Sequence, residues 1–137
     1  MIVSVLGLGY IGLPTAALIA SKGIEVMGID INNEIIKKIN LGQSPIIEEG
    51  LDALLETVIS SNFFSASMDV KESDVYVITV QTPLAELNKP DMTYVENVIS
   101  SVSSVLKKGD LIILESTSPV GSTEMIAQQL EALRADL

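Results

Sequence analysis

Near the start of the chain, Gly7-Leu8-Gly9-Tyr10-Ile11-Gly12 separates a short aliphatic run, Ile2 to Leu6, from a longer run of small apolar residues, Ile11 to Lys22. A G-x-G-x-x-G element occurs by chance in many chains, so its context decides its meaning. Here it follows an expected buried strand and opens an expected helix, within a unit of about thirty residues. Gly7 permits a tight turn, Gly9 lets backbone approach a pyrophosphate, and Gly12 lets the helix pack closely on the strand. The N–H groups of Tyr10 and Ile11 then point from the helix N-terminus at the phosphates. Asp30 closes the next expected strand, Glu25 to Asp30. A carboxylate there accepts hydrogen bonds from an adenosine ribose and repels a 2′-phosphate, which favours NAD over NADP.

Strand and helix signals alternate along the rest of the chain. Asn33 to Leu41 reads as a helix, and Leu51, Leu54, Leu55, Val58 and Ile59 repeat at helical spacing. Ser65 to Ser67 reads as a short strand and Val75 to Val80 as a strong buried one, followed by a loop over Thr82 to Pro90. Val95 to Leu106 carries one helical stripe, opened by Asp91 or Thr93 as a cap. Leu111 to Leu114 is the next strand, and Thr123 to Leu133 the last helix. The expected fold is α/β, a Rossmann-type doubly wound parallel sheet, one strand short of the six-stranded form. One domain spans residues 1–137, and there is no internal repeat or linker.

Composition narrows the function classes. The chain has 8 basic and 18 acidic residues, a formal charge of −10, with no histidine and no cysteine. Nucleic acid is not expected as a partner, because too few cations are present to neutralise a run of phosphates. Disulfides and thiolate or imidazole metal sites are excluded from these residues, and no acidic spacing suggests a metal. Neither a membrane span nor a signal peptide is evident, so a cytoplasmic location is expected. An anionic ligand must therefore be held against a repulsive net field by local geometry, which a helix N-terminus provides.

Two further strand ends should face the ligand crevice, which in open parallel sheets lies outside the carboxyl ends of the strands. They are Val80-Gln81-Thr82-Pro83 and Glu115-Ser116-Thr117-Ser118-Pro119-Val120-Gly121-Ser122-Thr123. Both are rich in hydroxyls. Thr82 can equally serve turn chemistry before a proline, and Ser122 and Thr123 plain helix capping. Glu115 is either a base or a solvated strand end.

Gly7 to Asn32, Thr82-Pro83, Pro90-Asp91-Met92-Thr93-Tyr94-Val95-Glu96 and Glu115 to Thr123 together resemble the UDP-glucose/GDP-mannose dehydrogenase family, over essentially the whole chain. The resemblance is to the family's N-terminal NAD-binding domain. It implies oxidation of a sugar C6 alcohol to a carboxylate in two hydride transfers with two NAD, and a UDP-sugar substrate for the full enzyme. It also implies that Tyr10 and Ile11 offer N–H groups to the pyrophosphate, and that Asp30 holds the ribose. Thr82 and Thr123 would line the cofactor site, and Thr117 would lie nearest the reacting centre in an auxiliary role. Gln81 and Glu49 stand where the family usually has proline. The family's thioester-forming cysteine and substrate-binding segments have no counterpart here, so this chain is expected to be the front piece of a longer, homo-oligomeric enzyme. It would bind NAD without completing the reaction. Two other readings stay open: a stand-alone NAD-binding regulatory module, and a dehydrogenase of the hydroxyacid or phosphogluconate type.

Overall fold

The computed structural model describes residues 1–85 and 89–137, so part of the expected 82–90 loop lies outside the described residues. In chain order the elements are β1 (Ile2–Leu6), α1 (Gly12–Ala20), β2 (Glu25–Ile29), α2 (Asn33–Asn40) and α3 (Leu51–Ser60). They continue with β3 (Phe64–Ser67), β4 (Val75–Ile78), α4 (Thr93–Ser103), β5 (Leu111–Leu114) and α5 (Ser122–Leu133). All strand pairs are parallel, in the order β3-β2-β1-β4-β5. This is the doubly wound order as far as its fifth strand. Successive connections run one way from β1 to β3 and the other way from β4 to β5. The carboxyl ends of β1 and β4 therefore flank the point where the order reverses.

Each face of the sheet buries its own aliphatic cluster. Val3, Val5, Val26 and Val77 meet Leu13, Ala16, Ala17 and Ala20 of α1, together with Ile39 of α2 and Leu55 and Val58 of α3. Leu6, Ile29, Tyr76 and Ile78 meet Val95, Ile99 and Val102 of α4 and Ile126 of α5. The alternation follows from strand geometry, since neighbouring residues point to opposite faces. Fully burying each such aliphatic side chain contributes about 1.5–3 kcal/mol. The alanines of α1 let that helix lie close to β1, which fixes where its N-terminus sits.

Several boundaries differ from the sequence reading for identifiable reasons. β4 stops at Ile78 rather than Val80 because the amides of Glu115 and Ser116 both donate to the Ile78 carbonyl, at 2.9 and 3.1 Å, ending the ladder. α1 stops at Ala20 because Lys22 and Gly23 donate three residues back, to Ile19 and Ala20. Gly23 then turns the chain with φ +77°. Asp91 does assist the start of α4, its carboxylate accepting from the Thr93 amide at 2.9 Å, but the cap position is Met92. The Thr93 hydroxyl first, and this amide bond second, hold the Asp91 carboxyl below its ordinary value. Ser122 and Thr123 do not cap α5. The cap position is Gly121, with φ +91°, and the buried Ser122 hydroxyl donates to the Pro119 carbonyl at 2.8 Å.

Candidate functional site

The glycine loop is built from the inside outward. Leu8, between the first two glycines, is fully buried and seats in the core against β2. Gly28 makes room for it: a Cβ there would lie 2.9 Å from both Leu8 methyl carbons and 2.8 Å from the Phe64 ring. Gly7 has φ +102°, and a Cβ on it would lie 3.0 Å from backbone atoms of Thr79 and Val80. At Gly12 a Cβ would come within 1.8 Å of the Gly7 carbonyl oxygen and 2.4 Å of the Thr79 hydroxyl. Gly9 is different, because nothing lies within 4 Å of a Cβ placed there. Two glycines are thus demanded by the protein itself. The third borders open space that a side chain would fill.

Leu13 and Thr15 donate to the carbonyls of Gly9 and Ile11, closing the first turn of α1. Among the described residues, the amides of Tyr10 and Ile11 have no protein acceptor. Free donors at a helix N-terminus, backed by about half a positive charge from the helix dipole, suit an anion.

Two clefts flank this loop at the carboxyl ends of the strands. The first, about 260 Å³, is lined by Gly7, Asp30, Ile31, Met68, Tyr94 and Asn97 among others, so it lies between β2 and α4. Asp30 is half-buried there. One of its carboxylate oxygens accepts from the Leu8 amide and the other from the Asn32 amide, both at 2.9 Å. A carboxylate has about four lone-pair sites, so both oxygens can still accept from a diol. The second cleft, about 620 Å³, is bordered by Gly9, Tyr10, Ile11, Gln81, Thr82 and Thr117, with Thr79, Glu115 and Ser116 beneath. Among the described residues, none of the side chains lining either cleft is basic. Apolar side chains stand in solvent around both: Ile31 is 84% exposed and Tyr10 74%.

Hydroxyls tie the second cleft together. The Thr82 hydroxyl donates to the Thr117 carbonyl at 2.5 Å, and the Ser116 hydroxyl to the Val80 carbonyl at 2.7 Å. These two bonds cross between the loops after β4 and β5. Gln81, in the position usual for proline, is exposed, and Thr82 beside it is nonetheless fixed. The Glu115 carboxylate lies 3.5 Å from the Thr15 hydroxyl, at the outer limit of a hydrogen bond. The structure thus gathers Gly9, Tyr10, Ile11, Thr82 and Thr117 on one side of the loop and Gly7 and Asp30 on the other, with Gly12 packed beneath. It leaves Thr123 exposed on the first turn of α5, outside both clefts. The sequence reading did not single out Leu8, Gly28 or Thr79, whose roles depend on which strands become neighbours. Their one local signal is position, inside the glycine loop or at the end of a strand.

Comparison with known proteins agrees with this geometry. Residues 1–136 match the model of the UDP-glucose/GDP-mannose dehydrogenase family, NAD binding domain. The chain belongs to this family. A UDP-N-acetyl-D-mannosamine dehydrogenase of Escherichia coli (strain K12) is 50% identical over 135 residues, covering 98% of this chain and 32% of the relative. An NDP-N-acetyl-D-galactosaminuronic acid dehydrogenase of Ralstonia nicotianae is 44% identical, with the same coverage. The solved structure of a UDP-D-ManNAc dehydrogenase from Pyrococcus horikoshii superposes with a TM-score of 0.95 at 46% identity, covering 98% of this chain and 33% of that one. The chain therefore spans about a third of the length of the curated relatives it matches. As the family's NAD-binding domain, it has NAD as its cofactor. The residues present fit that cofactor: unpartnered amides on the glycine loop, room above Gly9, and a carboxylate at the end of β2. Among the described residues there is no cluster of potential metal ligands, and no helix is long and apolar enough to cross a membrane.

Proposed function

We propose that the chain is the cofactor-holding part of a nucleotide-sugar 6-dehydrogenase that converts UDP-N-acetyl-D-mannosamine to UDP-N-acetyl-D-mannosaminuronate. The observation that carries this reading is the glycine loop with two unpartnered amides above an open Gly9, in a chain 50% identical to a relative of that name. In this reading the amides of Tyr10 and Ile11 hold the pyrophosphate, and Gly7, Gly9 and Gly12 shape the loop that presents them. Asp30 accepts from the adenosine ribose. Thr82 and Thr117 border the nicotinamide end, where Thr117 plays an auxiliary part near the reacting carbon. Thr123, exposed on the first turn of α5, remains a candidate to line the cofactor site, although it is not among the residues lining the two clefts.

When bound, NAD supplies hydride acceptance. This chain's own residues do the binding and orienting. With no cysteine among them, they cannot form the thioester that the family resemblance implies. We therefore place the sugar-binding and thioester-forming groups outside these 137 residues. We take the full enzyme to be cytoplasmic and homo-oligomeric. Exposed Leu111, Ile113 and Leu133 around β5 and α5 mark an apolar surface that the rest of the enzyme would cover.

Calorimetric titration with NAD and with NADP, on the parent chain and on Asp30→Ala, tests the cofactor reading. A buried-side hydrogen bond to a charged group is worth about 1.5–3 kcal/mol, so the variant should lose about tenfold or more in NAD affinity. The parent should bind NADP at least about tenfold more weakly than NAD, through repulsion of the 2′-phosphate by Asp30. Equal binding of both cofactors by the parent would reject the assignment of Asp30.

A further inference from the structure

The carbonyl of Gly7 and the N–H of Leu8 belong to one peptide unit, and that unit is gripped from both sides. On one side the Thr79 hydroxyl, from the end of β4, donates to the Gly7 carbonyl at 2.8 Å. On the other side the Leu8 N–H donates to Asp30, from the end of β2, at 2.9 Å. The Thr79 hydroxyl also lies 2.9 Å from the Leu6 carbonyl, but that carbonyl already accepts the Thr79 amide at 2.9 Å. Among the described residues, the Gly7 carbonyl has no other hydrogen-bonding partner. The hydroxyl is therefore the only group that fixes that oxygen from the β4 side.

Such a pin matters because Gly7 stands at φ +102° and has no Cβ to restrict its rotation. Without a fixed oxygen, the Gly7–Leu8 plane is held from one side only, through the Leu8 N–H bond to Asp30, and has more freedom to turn. Gly12 would feel any such turn, because the Gly7 oxygen lies where a Gly12 Cβ would be. The amides of Tyr10 and Ile11 lie between these two glycines, on the stretch of loop whose two ends this contact holds.

We propose that Thr79 is a positioning residue for the cofactor loop. Through the Gly7 carbonyl, its hydroxyl holds the Tyr10 and Ile11 amides in the orientation that receives a diphosphate. This rests on the reading that the loop holds the NAD pyrophosphate. Thr79 acts on the loop and not on the cofactor: its one hydroxyl hydrogen is directed at protein carbonyls.

The test compares the parent chain with Thr79→Val, Thr79→Ala and Thr79→Ser by NAD titration and by hydrogen exchange without NAD. Thr79→Val keeps the shape and removes the donor, and Thr79→Ala serves if the valine variant does not fold. Both should lose about tenfold in NAD affinity. Both should also exchange the Leu8 amide about tenfold faster, while the Met125 amide, bonded to Gly121 in α5, keeps its parental rate. Thr79→Ser, which retains the hydroxyl, should restore both quantities to within about threefold of the parent. Parental NAD affinity in the valine and alanine variants would overturn the proposal, as would an unchanged Leu8 exchange rate. A lower melting temperature with unchanged affinity would do the same, because that is what a merely structural bond predicts. If the parent itself fails to bind NAD, the cofactor reading falls, and the Leu8 exchange rates still decide whether Thr79 holds the loop.

Discussion

On one side of the glycine loop, the Asp30 cleft is walled by the ends of β1 and β2, by Met68 and Val70 beyond β3, and by Tyr94, Asn97 and Val98 of α4. On the other side, the larger cleft has the glycine loop and the loops after β4 and β5 as its borders. The first is enclosed by elements whose own packing holds them still, and its polar group is anchored by two backbone amides. The second is held by hydroxyl-to-carbonyl bonds between two loops, Thr82 to Thr117 and Ser116 to Val80, and most of its rim is exposed. The contrast separates what these residues complete from what they only begin. In the proposed placement of NAD, the adenosine end meets a finished site, whereas the nicotinamide end meets one wall of a site, and the part of the cofactor left in water contributes little affinity.

The largest effect expected is on the loop shared by both clefts. Gly12→Ala places a methyl group 1.8 Å from a backbone oxygen. Neither partner can move without shifting β1 against α1, so about 3 kcal/mol or more of stability should be lost. Gly9→Ala is the counterpart, since its methyl group meets no protein atom. Its stability should stay within about 0.5 kcal/mol of the parent. NAD affinity should nevertheless fall about tenfold, because the methyl group occupies the approach to the loop. Thermal melts and NAD titrations on this pair check both expectations, and a Gly9→Ala chain that unfolds or binds NAD like the parent would refute the distinction between the two glycines.

A smaller effect addresses the second cleft alone. Thr82→Val removes the bond to the Thr117 carbonyl, at a cost of about 1 kcal/mol in denaturant unfolding. The loosened loops border only the second cleft, which the proposed placement gives to the nicotinamide end, so the change in NAD affinity should stay below about threefold. A larger loss would mean that the second cleft carries affinity after all.

How much of this was legible in the sequence follows from what each feature depends on. The strands and helices were readable because aliphatic runs and helical stripes are local patterns, and the parallel sheet followed from their alternation. The glycine loop and Asp30 were readable because their spacing encodes one βαβ unit. Thr79 was not, since its hydroxyl reaches the Gly7 carbonyl only once β4 pairs beside β1 in the register Leu6 to Ile78. Leu8 and Gly28 likewise depend on how β2 lies against the loop. Thr82 was expected to line the cleft and does, but its hydroxyl is already committed to Thr117, a partner thirty-five residues away. Thr123 falls within the same hydroxyl-rich stretch, but α5 begins one residue before it, so its place on the first turn of that helix depends on where the helix starts.

If the proposed placement holds, the adenosine side of the loop supplies nearly all the NAD affinity of these residues. Parallel calorimetric titrations of the parent chain with NAD, ADP-ribose and nicotinamide mononucleotide test it directly. ADP-ribose should bind within about threefold of NAD, and the mononucleotide should not bind measurably at millimolar concentration. NAD binding more than about tenfold tighter than ADP-ribose, or saturable binding of the mononucleotide, would contradict it.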